Sequence, residues 1–223
     1  MTRSVPAAAA ALLGAAAFLA ACDAAEADPP APPAERGEAV YAVTFDATWS
    51  AETHPDAFPA GAHFSPLAGA AHAEGVALWA PGAAATDGLR DVAERGATDR
   101  LRAEVEALGA LAVYAEGDGV ARSPGAGRWT VRVSDDRPLV SVVSMLAPSP
   151  DWFVGVDRLD LRAGGGWADR VVVDLAVYDA GTDSGATYTA PDAPTTPRDP
   201  VTATDYLPLA ETTVGTFTVE RVE

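Results

Sequence analysis

The spacing of apolar runs and turn residues predicts an all-β protein, an antiparallel β-sandwich of about eight strands with a helical insertion. Short segments rich in Val, Thr and aromatic residues recur along most of the chain, and clusters of Gly, Pro and Asp part them. Helical periodicity is confined to one stretch, residues 86–108. Two runs, 139–146 and 171–177, are almost unbroken in apolar residues, as central strands covered on both faces would be.

A chain of 223 residues suits one domain plus a tail. Its 15 basic residues, all Arg, face 32 acidic ones, a net charge of −17. That balance argues against a nucleic-acid partner and against unaided binding to anionic lipid, and it favours divalent cations. The single cysteine, Cys22, excludes an intrachain disulfide.

In chain order, residues 1–21 carry Arg3 and then an uncharged Ala/Leu/Phe run, shorter than the ~20 residues of a membrane span. This is the pattern of a secretory signal. The run ends in Leu19-Ala20-Ala21-Cys22, which resembles the lipobox of bacterial lipoproteins. That resemblance implies cleavage before Cys22, acylation of its thiol and lipid anchoring of an exported protein to the cell envelope. The alternative is an ordinary signal peptide with a chance cysteine. Residues 22–38 are rich in Pro, Ala and acids without apolar period, and read as an extended tether. The folded domain is expected over 39–223.

A first strand is expected at 39–49, with Tyr41, Val43, Phe45 and Trp49 on its buried face. Residues 50–73 read as a long loop holding His54, His63 and His72, the only histidines, at nine-residue intervals. Zinc is one reading of the three, but that spacing fixes no coordination geometry and no cysteine assists. Capping of backbone groups is the other. A short strand is expected at 76–79. The helical stretch carries an apolar stripe of Leu89, Val92, Leu101, Val105 and Leu108 and breaks at Gly96. Thr98 is placed to cap its second segment, 99–108, where Arg102 and Glu106 stand at i,i+4 spacing. Further strands are expected at 111–115, 129–133, 139–146, 154–161, 170–178, 186–189 and 212–222. Residues 190–209, with five prolines, form a long loop.

Two loops carry the candidate chemistry. Ser149-Pro-Asp-Trp-Phe-Val-Gly155 and Asp179-Ala-Gly-Thr-Asp-Ser-Gly185 each adjoin an apolar run. If they meet at one end of a sheet, Asp151, Asp179 and Asp183 converge, and three carboxylates repel one another unless a cation lies between them. Calcium takes six to eight oxygens at ~2.3–2.6 Å and tolerates the irregular geometry of loops. The alternative is that these residues cap turns. An EF-hand ladder is absent. So are a Gly-x-Ser-x-Gly elbow and a phosphate loop, and Ser141 and Ser144 lie within an apolar run. The expectation is a protein without catalytic activity.

The chain resembles the spondin domain, the N-terminal adhesive module of F-spondin and mindin, from about 41 to 200. The resemblance rests on Tyr41-x-Val-Thr-Phe-x-x-Thr-Trp49, Thr53-His54-Pro55, Phe58-Pro59, Ala62-His63-Phe64-Ser65-Pro66, Ser144-Met145, Pro148-Ser149-Pro150-Asp151-Trp152 and Asp179-Ala180-Gly181-Thr182-Asp183-Ser184-Gly185. It implies a β-sandwich with calcium at loops on one edge, held by Asp151, Asp179 and Asp183, and structural roles for the histidines. This chain lacks the cysteines of the animal domains. The implied function is a calcium-binding, lipid-anchored module of the cell envelope engaging an extracellular protein or glycan. The alternative is a structural envelope lipoprotein whose ion serves folding alone.

Overall fold

The structure, a computed structural model, describes residues 37–210 and 212–223. The signal segment, Cys22 and most of the tether lie outside the described residues. The elements run β1 (Glu38–Ala47), β2 (His63–Phe64), β3 (Ala68–His72), α1 (Asp87–Arg95), α2 (Asp99–Glu106), a single 3-10 turn (Gly109–Leu111) and β4 (Ala112–Glu116). There follow β5 (Gly125–Ser134), β6 (Leu139–Ala147), β7 (Trp152–Asp160), β8 (Arg162–Ala163), β9 (Gly166–Trp167), β10 (Arg170–Asp174), β11 (Val177–Asp179), β12 (Thr202–Ala203) and β13 (Gly215–Arg221).

Two antiparallel sheets face each other. One has the order β10-β13-β1-β5, the other β12-β11-β7-β6-β3-β4 with β2 added against β6. Between them Tyr41, Val43, Phe45 and Trp49 are buried as the alternation in β1 requires. Phe45 meets Phe64 and Phe217 edge-on, at ring distances of 4.8 and 5.2 Å, which locks the two sheets together. The helices cover the outer face of the larger sheet. Leu89, Val92, Leu101 and Val105 form a second core there with Ala68, Ala70, Val143 and Phe153. All nine residues of β6 are therefore buried, on one side by the sandwich and on the other by the helices.

The other apolar run, 171–177, is not one central strand. It splits at Leu175-Ala176, where the chain leaves the smaller sheet as its edge strand β10 and joins the larger as β11. Residues 50–73 are not all loop, since they contain β2 and β3, and β3 lies between β6 and β4. Its Ala-Gly-Ala-Ala sequence suits close approach. A Cβ on Gly69 would lie 2.1 Å from Ser141 O and 2.7 Å from the Val142 Cα. Residues 76–79 and 186–189 are irregular rather than strands. Val76, Leu78, Trp79 and Tyr188 are buried there without strand pairing, Trp79 edge-on to Phe153 and Tyr188 edge-on to Trp152.

The helical stretch breaks at Gly96, whose φ of 65° closes α1. Thr86 caps that helix by accepting from Leu89 N at 3.0 Å. Thr98 precedes α2 but makes no such cap. Its hydroxyl donates instead to Glu116, which also takes Arg102 at 2.6 Å. Arg102 thus joins its helix to β4 rather than to Glu106 one turn on.

Candidate metal centre

Strand pairing builds the site. β7 and β11 are neighbours, with Trp152 opposite Asp179. Asp151 therefore precedes β7 at the same end of the sheet where residues 180–185 leave β11, and Ala180 N donates to Asp151 O at 3.2 Å. Ser149 shapes the entry to β7 by accepting from Trp152 N at 3.1 Å.

Asp151 is fully buried. Its Oδ2 accepts from Thr182 N (2.7 Å), Thr182 Oγ1 (3.1 Å) and Asp183 N (3.0 Å). Its Oδ1 is buried without a hydrogen-bond partner among the described residues. Burial, and then the charge of Asp179, push the Asp151 carboxyl up to about 6, against the pull of the three donors. Asp179 accepts from Gly181 N at 2.8 Å on Oδ1 and from Trp152 Nε1 at 3.1 Å on Oδ2. Burial raises it as well, and the charges of Asp205 and Asp199 add to the effect.

Asp183 is placed differently. It contributes its amide to Asp151, but its own carboxylate accepts from Gly185 N and Ala193 N, both at 2.7 Å. The structure thus brings Asp151 and Asp179 together, and turns the Asp183 carboxylate toward the segment 193–199. That segment is held to the loop by Ser184 N on Ala193 O, Thr195 N on Thr182 O and Asp199 N on Gly181 O. Gly181, at φ 70°, has no room for a side chain, since a Cβ there would meet Asp199 O at 2.2 Å.

Among the described residues no three His, Cys, Asp or Glu side chains come together as a ready set of metal ligands. A cation here would rest on two carboxylates, with main-chain oxygens or water completing its shell. The donor set fits a hard, oxygen-seeking ion, and the free Oδ1 of Asp151 is the position it would satisfy. Asp199 and Asp205 were not singled out in the sequence. They come from the proline-rich loop, and only their position beside Asp179 gives them weight.

The histidines lie apart. His54 bonds Thr53 Oγ1 (2.8 Å) and Thr212 Oγ1 (3.1 Å), and His63 bonds Gly61 O (2.8 Å). His72 is fully buried, with Nδ1 at 3.0 Å from Ala73 O and Nε2 at 2.9 Å from Ser141 Oγ. A carbonyl can only accept, so Nδ1 carries the proton and Nε2 accepts from the Ser141 hydroxyl. Ser141 Oγ in turn accepts from Arg158 N at 2.9 Å. This pair has the spacing of a nucleophile and base, but both residues are sealed in the core and the outer imidazole nitrogen is spent on the main chain. No zinc site forms among the described histidines.

Two facing antiparallel sheets, with helices over one outer face and the buried carboxylates Asp151 and Asp183 in loops at one sheet end, define a β-sandwich module. The Spondin_N family model matches residues 39–212, and the chain belongs to that family. It is 42% identical to rat (Rattus norvegicus) Spondin-2 over 73% of this chain and 51% of the relative. It is 41% identical to human (Homo sapiens) Spondin-2 over 75% and 53%, and 37% identical to chicken (Gallus gallus) Spondin-1 over 76% and 23%. The chain thus spans about half the length of Spondin-2 and under a quarter of Spondin-1. Among the described residues no helix is long and apolar enough to cross a membrane.

Proposed function

We propose that the chain is a non-catalytic, extracellular adhesion-type module that binds calcium between Asp151 and Asp179, with the loop 179–185 ordered beside the ion and the Asp183 amide holding Asp151. The observation that carries the reading is the unpartnered Oδ1 of a fully buried Asp151 beside a second carboxylate. A buried polar atom without a partner costs about 1–3 kcal/mol, more when charged, and a bound cation removes that cost. Calcium would supply a positive charge and a coordination demand that neighbouring oxygens fill. The protein's part is to hold Asp151 by three donors and Asp179 by two, so that both carboxylates stay oriented.

Family membership supports the extracellular, adhesion-type reading, and the Leu-Ala-Ala-Cys22 run supports export with lipid anchoring through Cys22. The ligand class is an extracellular protein or a glycan. Thermal melts of the wild type and of Asp179→Asn, in calcium and in chelator, test the ion. A calcium-dependent rise in the wild-type midpoint that the variant lacks is expected. Identical wild-type curves in the two buffers would sink the calcium reading.

A further inference from the structure

The smaller sheet ends at β10, and the outer edge of that strand is unpaired among the described residues. The register identifies its free groups. Arg221 N donates to Asp169 O and Leu175 N donates to Gly215 O, so the odd-numbered residues of β10 bond to β13. The N–H and C=O groups of Arg170, Val172 and Asp174 therefore point away from the sheet. Side chains alternate as well. Val171 and Val173 pack against the core, only partly buried at its rim, while Arg170, Val172 (46% exposed) and Asp174 stand on the outer face. An open edge with an apolar residue at its centre is a template for another strand. The far edge strand of the larger sheet is better guarded, since α2 lies against β4 with Arg102 4.6 Å from the Tyr114 ring centre.

The order Arg170-Val171-Val172-Val173-Asp174 selects which strand fits. Laid antiparallel against a second copy, with Val172 opposite Val172, it sets Arg170 directly across from Asp174 of the second copy, and Asp174 across from Arg170. Both pairs fall on the outer face, where directly opposed side chains touch. The free backbone groups match in the same register: three facing pairs, each exchanging two N–H···O bonds. A slip of two residues sets a charge against Val172, and a slip of four sets Arg170 against Arg170 or Asp174 against Asp174. Arg170 can serve both contacts. Its Nε already holds Glu220 at 3.1 Å, which leaves the two terminal nitrogens for the incoming carboxylate.

We propose that the β10 edge is a self-association surface, on which two copies of this chain pair about a twofold axis at Val172 and merge their four-stranded sheets into one. At a net charge of −17 per copy indiscriminate contact is repulsive, so the two reciprocal Arg–Asp pairs make this edge selective.

Analytical ultracentrifugation of the purified chain at concentrations up to about 100 μM tests the proposal, with circular dichroism melts confirming that each variant folds. A monomer–dimer equilibrium is expected for the wild type. Arg170→Asp alone and Asp174→Arg alone should each weaken it at least about tenfold, by opposing like charges. The double exchange, Arg170→Asp with Asp174→Arg, restores the pattern and should restore the dimer. Mixing the two single variants should give a heterodimer. A wild type that stays monomeric throughout the range overturns the proposal. So do single variants that dimerise as tightly as the wild type, or a double exchange that fails to recover.

Discussion

Replacing Asp151 by Asn should stabilise the metal-free protein while abolishing its response to calcium. In the folded state the Asp151 carboxyl titrates at about 6 instead of the ordinary 3.8. An acid whose folded pKa is raised holds its proton more tightly in the fold, so stability rises as pH falls from about 6 toward about 4, and above pH 6 the cost of the buried charge is carried in full. A shift of about two units is about 3 kcal/mol at ~1.4 kcal/mol per unit. Coupling to Asp179 divides that figure between the two groups, so about 2 kcal/mol is the expected gain for Asn at pH 7. For a domain of this size that is roughly 4–8 °C in melting midpoint. The Asn carbonyl keeps the acceptor used by Thr182 N, Thr182 Oγ1 and Asp183 N. Its amide group takes the place of the unpartnered Oδ1. The assay is thermal denaturation of wild type and Asp151→Asn in chelator across pH 4–8. The quantity to follow is their difference, because burial lowers the His54 and His72 pKa values and makes both proteins less stable as pH falls. The difference should vanish near pH 4. A variant less stable than wild type at pH 7 in chelator would mean the opposite, that the Asp151 carboxylate is a net stabiliser of the metal-free fold.

Two further changes probe how the site is supported. Gly69→Ala forces a Cβ against Ser141 O and the Val142 Cα, so β3 must separate from β6; urea unfolding should show a loss of about 1–3 kcal/mol, and an unchanged midpoint would mean the strands part freely. Trp152→Phe removes the Nε1 donor to Asp179 Oδ2 and should cost about 1–3 kcal/mol at neutral pH. Without that donor the raised Asp179 pKa climbs further, so the penalty should shrink on acidification. A penalty that does not change with pH would assign the loss to packing alone.

The parts of the fold that were legible in the sequence are those whose residues answer to burial. β1 declares itself through Tyr41, Val43 and Phe45 on one side, and β6 through unbroken apolar character that two covering layers demand. β3 was illegible because close approach keeps its buried residues small, leaving no large apolar side chain to mark them: Gly69 is there for what it lacks. The 171–177 run hides a change of sheet, since an inward-facing valine on an edge strand looks the same in sequence as one at the centre. Val76, Leu78, Trp79 and Tyr188 fill core space from irregular backbone, so apolar character there signals burial without a ladder. At the site, Asp151 and Asp179 were readable because each adjoins an apolar strand, and pairing of those strands makes them neighbours. The divergence of Asp183 was not, because its carboxylate partners Ala193, ten residues away in an irregular segment.

The folded domain lacks cysteine, and the segment 193–201 shows how its loops are held without one. On one side that segment bonds residues 181–184 through Gly181 O, Thr182 O and Ser184 N, and clasps the Asp183 carboxylate through Ala193 N. On the other it bonds residues 82–83 through both backbone groups of Val201, and Arg198 binds Ala85 O at 2.7 Å and the Asp87 carboxylate. At a net ~1 kcal/mol per hydrogen bond, any three or four of these bonds already match the ~2–4 kcal/mol of a typical disulfide. Asp183 ties the loop to this strap, and the strap carries the charge of Asp199 to a position beside Asp179. Because the strap joins the acidic loop to the start of α1, ordering of the loop by a cation would be felt at the helices that cover β6, and the loop and helical layer should gain protection together.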